Sequence, residues 1–130
     1  MKLEIAAIEQ HDTDTKGQLA AVGVRTHGGD RHLLLLPFGV AEQLIAHLAS
    51  AGVMAATLRG SDGTPPDGRE QGYVCKATFA HAGIAPTGGG AHLVLRFGEL
   101  TLSVDLAAMC AAQLAQDLLA ATASGPARAQ

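Results

Sequence analysis

Four polar residues near the tip of a predicted hairpin are the best candidates for chemistry in this sequence: Arg25, His27, Asp30 and His32. Two imidazoles and a carboxylate are ligands that suit a transition metal such as zinc, the one candidate cofactor. The Arg25 guanidinium could instead help to hold an anion. The competing interpretation is an ordinary solvated turn, because a hairpin tip offers no cleft that excludes water.

The other reactive side chains give weaker signals. His11 and His81 follow the first predicted strand of two similar units, so a twofold axis could bring them together as a metal or pH-sensitive pair. Cys75 and Cys110 lack the spacing of a metal motif, and we expect both thiols to be buried. No serine lies in a G-x-S-x-G elbow, which disfavours an enzyme of that type without excluding others.

A hairpin must position the polar cluster. We predict strands at Leu19–Thr26 and Arg31–Leu36, joined by Gly28-Gly29 as a two-residue turn. This register places His27 opposite Asp30 and Arg25 opposite His32. One face of the hairpin then carries Arg25, His27, Asp30, His32, Leu34 and Leu36, and the other carries Val22, Val24, Leu33 and Leu35.

The second of these faces is the predicted interface. Val22, Val24, Leu33 and Leu35 are apolar and have no helix of their own to cover them, so they should pack on something. The candidates are the other half of the chain, a second copy in a homodimer, or an unrelated protein partner.

A second hairpin, near residue 98, has a polar outer face instead. Gly98-Glu99 has the form of a type II′ turn, which pairs Phe97 with Leu100, Leu95 with Leu102 and Leu93 with Val104. We expect His92 to pair across this hairpin with Asp105. Asp105 is also a candidate N-terminal cap for the following helix.

The remaining elements follow from alternation and helical spacing. We predict strands at Lys2–Glu9, where Ile8 breaks the alternation, and at Tyr73–Ala80. The predicted helices carry the stripes Val40, Leu44, Leu48, Ala51 and Cys110, Leu114, Leu118, Ala121. Gly52 is the expected C-terminal cap of the first helix, and Val53–Leu58 is ambiguous between a short strand and a helix end.

The two halves of the chain align without gaps when Gly28 is placed on Gly98, which also places Leu36 on Leu106, Gln43 on Gln113 and Leu48 on Leu118. We therefore predict an α+β fold of two pseudo-repeated βββα units, with antiparallel sheet or sheets and one helix per unit packed on one face. The single domain divides into a first unit at 1–59, a linker at 60–72, a second unit at 73–122 and a disordered tail at 123–130.

Composition limits the partners. The net charge of the 130-residue chain is −3, its basic residues are scattered, and its aromatic residues are few, which disfavours nucleic acid as a partner. We expect no membrane span, because no apolar run approaches the length that a span needs, and no signal peptide. A cytoplasmic location follows by default.

The topology, though no residue motif, resembles in outline the whirly and Pur-alpha repeats, which have four strands per unit where this chain has three. That resemblance implies single-stranded nucleic-acid binding as one hypothesis. The leading hypothesis is a small bacterial cytoplasmic protein-interaction or structural module that homodimerises through its sheet. The alternative is a small-ligand or metal-binding module that uses the first hairpin tip.

Overall fold

Two βββα units follow one another along the chain, which confirms the predicted α+β fold. The computed structural model describes residues 2–60, 73–86 and 89–128. The first unit comprises β1 (Ile5–Thr13), β2 (Leu19–Thr26), β3 (Arg31–Pro37) and α1 (Phe38–Leu58). The second comprises β4 (Phe79–Ile84), β5 (Gly90–Phe97), β6 (Leu100–Ala107) and α2 (Ala108–Arg128).

Each unit has its own three-stranded antiparallel sheet, in the order β1-β2-β3 or β4-β5-β6. The chain divides between residues 75 and 76 into two compact units. Of the linker predicted at 60–72, all but Gly60 lies outside the described residues. The predicted tail begins at residue 123, but α2 runs on through Arg128.

Strand β1 is displaced from its predicted position. It begins at Ile5 and extends to Thr13, and its register with β2 shifts between Ile5 and Ala7 and again between Ile8 and Gln10. Such bulges insert an extra residue opposite a regular partner strand, which explains the break in alternation at Ile8.

The turn after β1 is held by Asp14. Its Oδ1 atom accepts hydrogen bonds from the backbone N–H groups of Gln18 (2.6 Å) and Leu19 (2.9 Å). The bond from Leu19 is the main reason that the pKa of Asp14 lies below its ordinary value of 3.8, with desolvation acting in the opposite direction. Gly17 completes the turn with a φ of +67°.

The β2–β3 register defines two faces of the first sheet. The inner face carries Ile8, His11, Ala20, Val22, Val24, His32, Leu34 and Leu36. The outer face carries Ala7, Gln10, Asp12, Ala21, Gly23, Arg25, Arg31, Leu33 and Leu35. Val24 is only 3% exposed, whereas Leu33 and Leu35 are 57% and 53% exposed, so burial places α1 on the inner face.

Helix α1 meets its sheet through a different stripe from the one predicted. Ala41 is buried, and Phe38 and Ile45 are half-buried. The predicted stripe residues Leu44 and Leu48 are exposed.

The first helix is also longer than predicted, since it includes Val53–Leu58. Gly52 is helical, and the cap lies at Arg59 and Gly60, whose φ is +61°. A single glycine costs a helix about 1 kcal/mol and does not end it when good helix formers continue beyond it.

The second hairpin confirms its predicted register. Phe97 lies opposite Leu100, Leu95 opposite Leu102 and Leu93 opposite Val104. Gly98 has a φ of +64°, and no residue other than glycine has a positive φ in the described part of the chain. A positive φ at the first turn residue alone is the type II′ pattern.

Strand β4 occupies Phe79–Ile84 and not the predicted Tyr73–Ala80. Its register joins Ile84 to Ala91 and Phe79 to Arg96. Because β5 ends at Phe97, where the chain turns, residues before Thr78 have no β5 residue left to pair with. Alternation alone predicted a strand there, but a strand also needs a neighbouring ladder.

Two further predictions about burial are wrong. Cys75 and Cys110 are both exposed free thiols. Among the described residues the buried apolar side chains are Ala21, Val24, Ala41 and Ala85, and no large side chain is fully buried. Each unit therefore leaves most of its large apolar side chains at least partly exposed.

Helix α1 also bears on the membrane prediction. By length and composition it is the one helix of the described chain that could cross a membrane, and Glu42 is its one charged side chain. Helices of water-soluble proteins can have the same length and composition, so these two properties are weak evidence for a membrane span.

Candidate functional site

The first hairpin has a three-residue loop where the sequence predicted a two-residue turn. The Thr26 N–H donates to the Asp30 carbonyl (2.9 Å) and the Gly29 N–H donates to the Thr26 carbonyl (3.0 Å). Gly29 has a φ of +91°. A turn followed by a left-handed glycine is the usual form of a three-residue hairpin loop.

One extra loop residue shifts the whole register. Arg25 lies opposite Arg31, and Val24 lies opposite His32. Since side chains alternate between faces with a period of two, a shift by one residue moves every β3 side chain to the other face relative to β2. The predicted pairing of Arg25 with His32 is therefore wrong.

The shift disperses the candidate metal site. Arg25 is on the outer face and His32 on the inner face, while His27 lies in the loop and Asp30 directly follows it. The Asp30 backbone N–H donates to Thr26 Oγ1 (3.2 Å) and its carbonyl accepts from the Thr26 N–H. Within residues 2–60, 73–86 and 89–128, no three His, Cys, Asp or Glu side chains are grouped to hold a metal ion.

The same shift divides the candidate interface. Val22 and Val24 lie on the inner face, and Leu33 and Leu35 lie on the outer face. Leu33 and Leu35 project to the side of the sheet away from α1, while Val24 is buried against it. The outer face is thus one surface of this unit with exposed large apolar side chains; α1 has others, such as Val53 and Met54.

In place of the predicted cluster, the outer face brings together two arginines and Glu9. Glu9 lies 3.7 Å from Arg25 Nε and 3.4 Å from Arg31 Nε. Two guanidinium groups directly opposite on neighbouring strands repel each other, and one carboxylate compensates one of the two charges. The cluster therefore keeps a net positive charge.

A shallow hollow of about 440 Å³ lies beside this cluster, lined by residues that include Gln10, Gly23 and Leu33. A Cβ atom at Gly23 would stand 2.7 Å from the Gln10 side chain, which would have to move to make room for it. The hollow has polar and apolar walls and is open to solvent.

Sequence reasoning missed the part that Glu9 plays. The break in alternation at Ile8 marks only the first bulge, between Ile5 and Ala7; the second bulge, between Ile8 and Gln10, leaves no such mark in the sequence. A bulge redirects the side chains beside it, and here Glu9 reaches the two arginines on the outer face.

The second unit has different chemistry on its outer face. His92 Nδ1 lies 2.6 Å from Asp105 Oδ1, which confirms the predicted pair. His81 packs edge-on against Phe79 with ring centroids 5.7 Å apart. Asp105 does not cap α2, because β6 continues to Ala107 and the helix begins at Ala108.

The predicted equivalence of His11 and His81 is also wrong. His11 lies in β1 and pairs with Val22 of β2, and His81 lies in β4 and pairs with Val94 of β5. Strands β2 and β5 have the same length, so that Leu19–Thr26 matches Gly90–Phe97. The structural counterpart of Val22 is therefore Leu93, which pairs with Ala82 and not with His81.

Fold and surface together define an α+β protein of two βββα units, whose first sheet has a mixed charged and apolar outer face. Comparison with protein families, curated proteins and solved structures gives no match.

Proposed function

We propose that this chain is a non-enzymatic protein-interaction module of the cytoplasm that works as a homodimer, joined through the outer face of its first sheet. The observation that supports this most directly is the exposure of Leu33 and Leu35, at 57% and 53%, on the side of the sheet away from α1. Full burial of an exposed leucine contributes about 1.5–3 kcal/mol, so covering the exposed half of each of these side chains contributes about 1 kcal/mol.

The charges on the outer face favour a second copy over an unrelated partner. Arg25 and Arg31 give it a positive region, and Asp12 gives it a negative one. A face with both signs can complement itself, whereas a partner of one sign would match only part of it. Homodimers are also the commonest oligomers of soluble proteins.

Light scattering after size exclusion tests this proposal. We expect a mass of twice 13.2 kDa for the wild type and 13.2 kDa for Leu33→Asp and for Leu35→Asp, because each change buries an unpaired carboxylate in the interface. Leu48→Asp is the matched control: Leu48 is similarly exposed, at 60%, but lies on α1.

Far-UV circular dichroism should show that all three variants remain folded. A wild-type monomer at millimolar concentration would contradict the proposal. So would a dimer that Leu48→Asp disrupts while Leu33→Asp leaves it intact.

A small-ligand module is the second candidate, supported by the hollow beside Arg31 and Gln10. Its guanidinium groups suit a carboxylate or phosphate. Inorganic phosphate and citrate should then raise the melting temperature of the wild type and not that of Arg31→Gln. An equal response from both proteins would exclude a site at this arginine.

A further inference from the structure

Strand β3 is an edge strand: it pairs with β2 on one side, and no strand of the described chain pairs with it on the other. In an antiparallel ladder, alternate residues exchange backbone hydrogen bonds with the partner strand, and the residues between them point their N–H and C=O groups the other way. The Thr26 N–H donates to the Asp30 carbonyl, so His32 and Leu34 are the next residues of β3 that bond to β2. The residues between them therefore point their backbone groups to the open side.

The open side of β3 carries the backbone N–H and C=O groups of Arg31, Leu33 and Leu35, a row that we term the β3 edge. At one end the row stops at Pro37, which has no N–H group. At the other end it stops at the hairpin loop, where Gly29 has a φ of +91°. A regular, exposed edge that is rich in large apolar residues is a site at which a further strand can pair.

The opposite edge of the same sheet is protected. Strand β1 has register shifts between Ile5 and Ala7 and between Ile8 and Gln10, and bulges of this kind disrupt the row of backbone groups that a further strand needs. Strand β3 pairs with β2 along its whole length without a shift. Edge pairing of the first sheet is therefore favoured at β3 and hindered at β1.

We propose that the β3 edges of two copies of the chain pair antiparallel across a twofold axis perpendicular to the sheet, with Leu33 of one copy opposite Leu33 of the other. A half-turn about this axis reverses the strand and keeps the outer face on the same side, so the two sheets join edge to edge. Arg31 of each copy then lies opposite Leu35 of the other. All three residues of the β3 edge are in bonding pairs, and each pair exchanges two backbone hydrogen bonds.

Other registers pair fewer of these groups. A shift of two residues toward α1 pairs Leu33 with Leu35 but leaves Arg31 opposite Pro37, which cannot donate. A shift of two residues toward the loop pairs Arg31 with Leu33 and leaves Leu35 opposite Gly29, which lies outside the strand. A shift of four residues toward the loop places two arginines directly opposite, where like charges repel.

This contact goes beyond the proposed homodimer, because it uses the edge of the first sheet and not its outer face. A chain whose outer face is covered by one copy keeps its β3 edge free, so edge pairing joins two such dimers into a tetramer. The backbone hydrogen bonds replace bonds to water, so each contributes little net free energy. We therefore expect edge pairing at millimolar protein concentration and not at the dilution of size exclusion.

Disulfide cross-linking on the inner face tests the edge contact by itself. His32 of one copy lies opposite Leu34 of the other in a pair without hydrogen bonds, where Cα atoms are about 4.5 Å apart and a disulfide can form. In a dimer joined through the outer faces, these two positions project away from the interface. With the exposed Cys75 and Cys110 changed to serine, an oxidised equimolar mixture of His32→Cys and Leu34→Cys should give a cross-linked dimer at millimolar concentration.

A mixture of His32→Cys and Leu36→Cys is the matched control, because both positions are on the inner face but do not lie opposite each other in the proposed register. Diagonal positions are about 7–8 Å apart, which is too far for a disulfide. We expect at least about tenfold less cross-linked dimer from the control mixture and from each variant alone. Equal cross-linking in the two mixtures, or more in the control, would overturn the register.

Amide hydrogen exchange measures the same contact without any substitution. The amides of His32 and Leu34 bond to β2 and should be protected at every concentration. Those of Leu33 and Leu35 should become protected only as the concentration rises and the edges pair. Protection of Leu33 and Leu35 that does not depend on concentration would mean that another segment of the same chain covers the β3 edge, which would overturn the proposal.

The substitution Leu35→Asp separates the edge contact from the outer-face homodimer. It should disrupt the outer-face dimer, but in the edge pair it places a carboxylate opposite Arg31 of the other copy, so the cross-link should persist in this background. A cross-link together with a wild-type monomer in light scattering would overturn the outer-face homodimer alone. A wild-type dimer that Leu33→Asp disrupts, with no cross-link in the mixture, would overturn the edge contact alone.

Discussion

Asp14 and Asp105 show how the environment of a carboxylate decides its role. Asp105 precedes a helix, and its position in the sequence predicted a cap. It binds His92 across the hairpin instead, because β6 continues beyond it to Ala107. Asp14 does not precede a helix, yet it accepts two backbone hydrogen bonds that close the β1–β2 turn.

The lowered pKa of Asp14 makes a prediction about stability at acid pH. Since the folded-state value lies below 3.8, the ionised group contributes stability that is fully present above pH 3.8 and lost as the pH falls through the folded-state pKa. Asp14→Asn should therefore melt below the wild type at neutral pH, and the difference should shrink in acid. Scanning fluorimetry over a pH series measures it; a difference that is constant with pH would contradict the assignment.

At the scale of elements, loop length decides the architecture of the two hairpins. Helices α1 and α2 have the same length, and aligning them places Phe38 on Ala108. The same alignment places Leu19, the first residue of β2, on position 89, one residue before β5 begins at Gly90. That displacement is the extra loop residue of the first hairpin. It moves Val24 to the inner face together with Leu34, and leaves Leu33 with Arg25 on the outer face.

Two glycine substitutions of opposite expected sign test the element boundaries. Gly98→Ala forces a left-handed φ of +64° on a residue with a Cβ atom and should lower the free energy of unfolding by about 1 kcal/mol. Gly52→Ala lies inside α1 and should raise it by about 0.5–1 kcal/mol. Urea denaturation measures both.

Neither added methyl group meets an atom within 4 Å, so steric clash does not enter the comparison. Destabilisation by Gly52→Ala would indicate that the helix ends at this glycine, as the sequence alone predicted.

At the scale of the molecule, the main feature is how little apolar surface is covered. The described residues include no fully buried large side chain, and Leu33, Leu35, Leu44 and Leu48 are all exposed. Ordering the backbone costs about 1–2 kcal/mol per residue, which burial of alanines offsets poorly. The stability of the fold should therefore depend on what covers these side chains.

Assembly-linked stability gives a direct prediction. If folding and self-association are coupled, each tenfold increase in protein concentration should stabilise the folded dimer by about 1.4 kcal/mol. The melting temperature should then rise measurably across a hundredfold concentration series, followed by circular dichroism. Leu33→Asp should show a lower melting temperature that is independent of concentration, and a wild type that behaves the same way would argue against coupling.

The sequence alone determined the order and kind of the elements because those are properties of short segments. Alternation and the Gly98-Glu99 turn were sufficient to predict β5, β6 and their register, and a repeated pattern was sufficient to predict two βββα units. At Gly28-Gly29 the sequence predicted a two-residue turn, and that prediction was wrong by one residue.

Only the tertiary structure decided which residues share a face. The hydrogen bonds of Thr26 with Asp30 and Gly29 fix the longer loop, and the bulges in β1 bring Glu9 to the arginines. Side chains alternate between faces with a period of two, so one additional loop residue changes the pairing. Arg25 lies opposite Arg31, where the shorter loop would have placed it opposite His32. The physical reason is that register depends on backbone hydrogen bonds between strands, which no short stretch of sequence specifies by itself.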